Sequence, residues 1–95
     1  MKFDWDPNKN KTNILKHGVA FEEAESVFDD INAITIYDEA HSEEEDRFRI
    51  IGISMKLREI VVCHCYRNGD NITRIISARV ATKNEVKLYE RGQYQ

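Results

Sequence analysis

An α+β domain, with helices packed on an antiparallel sheet, is predicted by three features of the chain. A capped helical stretch and a second one of helical spacing come first, strand-length runs joined by short turns follow, and a capping box opens a last helix. The 95 residues suit one domain, so 1–95 is read as a single unit. A hydrophobic content of 41%, including one Trp, four Tyr and four Phe, is enough to build a core.

Phe3-Asp4-Trp5 reads as a short strand or an extended arm. Asp6-Pro7 opens a helix over 7–17, with Asp as N-cap and Pro at the first position, where a missing N–H costs nothing. Lys16-His17-Gly18 closes it, with cations at the negative end of the dipole and Gly as the left-handed stop. Phe21, Ala24, Val27 and Phe28 recur at helical spacing, which predicts a second helix over 20–29. The period then changes to that of strands, at 34–37, 47–54, 59–66 and 72–79. Turn signals at Met55-Lys56-Leu57 and Asn68-Gly69-Asp70-Asn71 predict an antiparallel meander. Thr82-Lys83-Asn84-Glu85 is a capping box, and it starts a helix over 83–91 with Val86 and Tyr89 on one face. Glu43-Glu44-Glu45-Asp46 reads as a solvated loop.

No apolar run approaches the ~20 residues of a membrane span, and the N-terminus has no apolar signal region. A cytoplasmic chain with no membrane partner is expected, with Cys63 and Cys65 as reduced, buried thiols. The net charge of −3 hides a segregation: residues 1–20 sum to +2, 21–46 to −11 and 47–95 to +6. Such a chain folds either into a bipolar molecule with a basic surface for a polyanion, or into one whose charges interleave.

Cys63-His64-Cys65 invites a zinc reading, but four ligands in two spaced pairs are needed and no second pair exists. Strand alternation sends His64 to the face opposite the cysteines, where it is expected to look outward. No metal and no cofactor are expected. Serine-hydrolase, zinc-protease and glycine-rich phosphate motifs are all missing. What stands out is basic. His64 and Tyr66 share one strand face, and Arg67 ends that strand. Arg74 and Arg79 are oddly spaced, so they point to opposite faces unless a bulge intervenes. Lys16 and His17 add two cations. Groups of this kind bind a scissile phosphate, stabilise its pentavalent transition state and move protons. Each has a plainer alternative: a surface ion pair for any arginine, a helix cap for His17 and a core anchor for Trp5.

The ordered string adds more. Phe3-Asp4-Trp5-Asp6-Pro7-Asn8-Lys9, Lys16-His17-Gly18-Val19, Phe21-Glu22-Glu23-Ala24, His41-Ser42-Glu43, His64-Cys65-Tyr66-Arg67 and Arg74-Ile75-Ile76-Ser77-Ala78-Arg79-Val80-Ala81-Thr82 together resemble BrnT-type toxins, ribonucleases of type II toxin–antitoxin systems. The likeness covers nearly the whole chain, and the combination WDxxK…KHG…RIISARxAT is specific. It implies a RelE-like fold, with two N-terminal helices, an antiparallel sheet and one C-terminal helix. It also implies metal-independent RNA cleavage by 2′-hydroxyl attack, and a BrnA-type ribbon-helix-helix antitoxin through which alone DNA is contacted. On matching positions, His64, Arg67, Arg79 and His17 are expected to be catalytic, and Lys16, Arg74 and Tyr66 to bind RNA. The loop Met55-Lys56-Leu57 departs from the glycine-rich loop common in such toxins. The rival reading is a noncatalytic nucleic-acid-binding regulator that uses the basic face for phosphate contacts.

Overall fold

The computed structural model describes residues 1–92. In chain order it contains β1 (Lys2–Asp4), α1 (Pro7–His17), α2 (Phe21–Ser26), β2 (Ile34–Tyr37), β3 (Phe48–Ile53), β4 (Glu59–Arg67), β5 (Ile72–Val80) and α3 (Lys83–Gly92), with 3₁₀ turns at Val27–Asp29 and Glu39–His41. The five strands lie in the order β1-β5-β4-β3-β2.

β2 through β5 form an antiparallel meander, but β1 runs parallel to β5, so the sheet is mixed rather than wholly antiparallel. Local pattern carries no information about this pairing, which brings Asp4 beside Arg74 and seals the edge with an ion pair of 2.8 Å. The sequence runs through two helices between β1 and β2, and these fill one face of the sheet.

α1 begins where the Asp6 carboxylate accepts the Asn8 N–H at 2.8 Å. It ends at Gly18, whose left-handed φ of 68° lets its N–H reach the Ile14 carbonyl. Buried Asn13 then fastens the helix to the sheet: its amide donates to the Val19 and Ala78 carbonyls at 2.8 Å each and accepts from the Ala78 N–H. α2 stops at Ser26 and tightens into a 3₁₀ turn instead of running on to residue 29. The Ser26 hydroxyl donates to the Glu23 carbonyl at 2.6 Å, which competes with continued helix. Asp30 then turns back to accept from the Ile53 N–H and the Tyr89 hydroxyl.

The core therefore has two unequal parts. Val19, Phe21, Ala24 and Val27 from the helix layer meet Ile50, Ile60, Val62, Ile75 and Ala78 on one face, called here the helix face. On the other, Tyr89 of α3 packs on Ile51 and Val61 with Ile34 and Ile36 at the margin. Among the described residues, α3 covers only that part and leaves the rest of this second face open.

Candidate functional site

The open face is built by strand alternation. Arg49 pairs with Cys63 and Cys63 with Ser77, so these three side chains emerge on the same side, next to Arg79 opposite Val61. The register of β4 and β5 shifts by one between Cys63 and His64, and Ile76 is left without a partner on β4. This bulge restores Arg74, opposite Cys65, to the same face as Arg79. The odd spacing of the two arginines is thereby cancelled.

Arg49, Cys63, Ile76, Ser77 and Arg79, together with Asp38, Ala40, His41 and Arg47, line a cleft of about 470 Å³. Glu85 organises its cationic wall. As the last member of the capping box it accepts the Thr82 N–H at 2.9 Å, while Thr82 Oγ1 accepts the Glu85 N–H. The same carboxylate takes both terminal nitrogens of Arg79, at 2.6 and 2.8 Å, and one from Arg49 at 3.2 Å. The Arg79 bonds hold the Glu85 carboxyl down at a pKa of about 2, against the opposing effect of burial. Both arginines are thus fixed in place, with their side chains partly exposed. Among the described residues, the buried side-chain nitrogens without an acceptor are Nε of Arg47 and Arg49, both from cleft-lining residues.

On the facing wall, His41 Nδ1 lies 3.0 and 3.1 Å from the two oxygens of Asp38. The Asp38 side chain is buried, whereas the His41 ring is 67% exposed. Cys63 lies between, its Sγ 3.9 Å from Asp38 Oδ2. Burial pushes the Cys63 thiol up despite nearby Arg49 and Arg79, so it stays protonated. No group of three or more His, Cys, Asp or Glu side chains among the described residues is arranged to hold a metal ion.

The profile of the family described as "Ribonuclease toxin, BrnT, of type II toxin-antitoxin system" matches residues 5–85. The chain belongs to the BrnT family. Among solved structures, the 1.1 Å crystal structure of the Brucella abortus ribonuclease toxin BrnT is similar, with 32% identity and a TM-score of 0.67, covering 87% of this chain and 99% of that one. No curated protein sequence matches the chain.

In this BrnT-family chain the residues singled out by sequence fall into three places. Arg79 is in the cleft. Arg67 is outside the cleft lining and pairs with Glu45 at 3.4 Å, whose carboxylate also lies 4.0 Å from cleft-lining Arg47. Arg74 shares the face but is engaged by Asp4. Lys16 and His17 are exposed at the end of α1, in the layer on the other side of the sheet.

His64 does not look outward. It is fully buried on the helix face, edge-on to Phe28 at 4.9 Å and packed with Phe48 and Tyr66. Strand alternation does set His64 opposite Cys63, but that face is the one the helix layer covers. Nδ1 donates to the Val62 carbonyl and Nε2 accepts from the Tyr66 hydroxyl, both at 3.1 Å. Burial pushes the imidazole below its ordinary value, which favours the neutral ring, and the Val62 carbonyl sets the tautomer. Tyr66 is thereby turned to the same side as His64.

Sequence reasoning passed over Asp38, His41, Arg49 and Ser77. Arg49 was findable, since Arg47 and Arg49 stand two apart at the start of a strand and must share a face. His41 stands in the His41-Ser42-Glu43 match to the family, but it sits in a 3₁₀ turn where no periodicity places its side chain. The segregated charges interleave in part: Glu23 pairs with Arg58 and Glu45 with Arg67.

Proposed function

We propose that this chain, acting as one domain over residues 1–95, is an endoribonuclease toxin that cleaves RNA without a metal. In this reading the 2′-hydroxyl attacks the adjacent phosphodiester, and Arg79 and Arg49 meet the charge that develops on the phosphorane. Arg67 and Arg74 extend the cationic face along the RNA backbone, with Lys16 outside this path. The observation that carries the reading is the double clamp of Glu85 on Arg79 and Arg49. It orders two guanidinium groups at the mouth of an open cleft before any substrate arrives.

The family comprises toxins of type II systems, which implies an antitoxin partner and an RNA target. We assign the partner to the BrnA type with a ribbon-helix-helix domain, the fold to the RelE-like group and the site of action to the cytoplasm. The antitoxin silences cleavage by covering the arginine-lined cleft. No helix among the described residues is long and apolar enough to cross a membrane.

The test is cleavage of a single-stranded RNA in EDTA by the wild-type chain and by Arg79→Ala, with the new ends mapped. Fragments ending in 2′,3′-cyclic phosphate, and a loss of about 10²–10³-fold for the folded variant, are expected. Binding of RNA that leaves it intact would favour the noncatalytic regulator instead.

A further inference from the structure

Resting on the ribonuclease reading above, we infer that His41 is the proton-transfer residue of the cleft and Asp38 its positioning residue. Metal-free transphosphorylation requires a group that takes the 2′-hydroxyl proton, and arginine does not change charge under working conditions. Of the two histidines expected to be catalytic, His64 is sealed in the core and His17 lies in the opposite layer. Cys63 stays a thiol. His41 alone among the titratable groups lining the cleft pairs an exposed ring with a fixed orientation.

The orientation follows from hydrogen-bond chemistry. Asp38 offers only carboxylate oxygens, so Nδ1 of His41 is the donor at 3.0–3.1 Å. The neutral ring therefore carries its lone pair on Nε2, the nitrogen left free for substrate. The arrangement is that of an imidazole held by a buried carboxylate. Asp38 is itself fixed: its N–H donates to the Arg47 carbonyl at 2.9 Å, and its own carbonyl accepts the Ser42 hydroxyl at 2.6 Å. The turn carrying the dyad is thus tied to the strand carrying the arginines.

In the step assigned to it, Nε2 takes the 2′-hydroxyl proton as the O2′–P bond forms. The P–O5′ bond breaks, and the leaving oxygen takes a proton from solvent water. Products are a 2′,3′-cyclic phosphate and a 5′-hydroxyl, and the imidazolium returns its proton to water. Arg79 and Arg49 stabilise the phosphorane between these events.

The experiment measures cleavage of an end-labelled single-stranded RNA in EDTA by the full chain, His41→Ala, His41→Asn, Asp38→Asn, the double variant His41→Ala/Asp38→Asn, and Arg79→Ala. His41→Asn keeps a donor for Asp38 but cannot carry the proton, so it separates chemistry from folding. Expected are losses of about 10²–10⁴-fold in kcat for both His41 variants with KM nearly unchanged. Added imidazole should restore cleavage to His41→Ala at least ~10-fold and leave Arg79→Ala unchanged, because the exposed ring leaves an open hole when removed. Asp38→Asn should slow the wild type and add nothing further to His41→Ala, since a positioning residue acts only through its partner. Either His41 variant cutting RNA within about threefold of wild type, or a folded His41→Ala that imidazole cannot rescue, overturns the assignment while the arginine cleft stands. Loss of the ribonuclease reading looks different: wild type leaves RNA intact, and the dyad assignment falls with it.

Discussion

His64→Gln separates a core role from a catalytic one. The wild-type imidazole is fully buried, neutral and bonded at both nitrogens. Its folded pKa is lowered, so below the unfolded value of about 6.5 the unfolded chain binds a proton that the folded chain refuses. Stability is therefore full above that value and is lost as pH falls from it toward the lowered folded pKa. The slope can reach about 1.4 kcal/mol per pH unit, which caps the loss from this residue at about 2 kcal/mol by pH 5. Glutamine does not titrate, so this share of the pH dependence should vanish in the variant. Truncation to Ala should cost about 3 kcal/mol, by comparison with other buried aromatic rings. In a domain of this size that lowers Tm by roughly 12–24 °C. Urea unfolding of wild type and His64→Gln at several pH values between 7.5 and 5 measures the difference, and RNA cleavage per folded molecule is read alongside. A difference that stays flat over this range refutes the buried, neutral imidazole. A folded His64→Gln as slow as Arg79→Ala returns His64 to the chemistry.

Glu85→Gln removes a carboxylate held down from 4.5 to about 2, worth about 3 kcal/mol at neutral pH. Wild-type stability from this group is complete above about pH 4.5 and disappears as pH falls toward 2, whereas the variant lacks it throughout; urea melts at pH 7 and pH 3 compare the two, and RNA cleavage should fall because Arg49 and Arg79 lose their anchor. Arg58→Met strands the buried Glu23 carboxylate, 1% exposed and otherwise bonded to Ser54, and should cost about 3–5 kcal/mol. Glu23→Leu combined with Arg58→Met should recover most of that in thermal melts, and a double variant as unstable as the single one would contradict the uncompensated-charge explanation.

Local chemistry in the sequence was legible wherever a residue acts on its near neighbours. Asp6-Pro7 and Thr82…Glu85 both announce caps, and both cap as their spacing requires. The second role of Glu85 was not legible, since its contact with Arg49 spans 36 positions and depends on where α3 docks. Alternation told which residues share a face with His64, but only packing tells which face the helices take. For β1, three residues have too little pattern to choose a partner or a direction. The BrnT resemblance identified the family and pointed to the chain segments of the site. It could not rank histidines, because burial is a property of the fold and not of the string.

The bulge at Ile76 shows how narrowly the basic face depends on such non-local features. With unbroken alternation, Arg74 and Arg79 would stand on opposite sides, and one of them would have to enter the apolar layer under α1 and α2. A guanidinium there would need a buried partner or cost several kcal/mol. One extra residue in β5 removes the conflict. It sends Ile75 into the helix-face core opposite His64, leaves Ile76 at the cleft wall, and keeps both arginines on the open side. The core pattern of Ile75 and Ala78 is odd by itself, a spacing of three in a strand. Such a break in period two, flanked by arginines at a spacing of five, is the sequence trace of the bulge. The same single insertion satisfies the core and assembles the cationic face, so packing and chemistry impose the same irregularity.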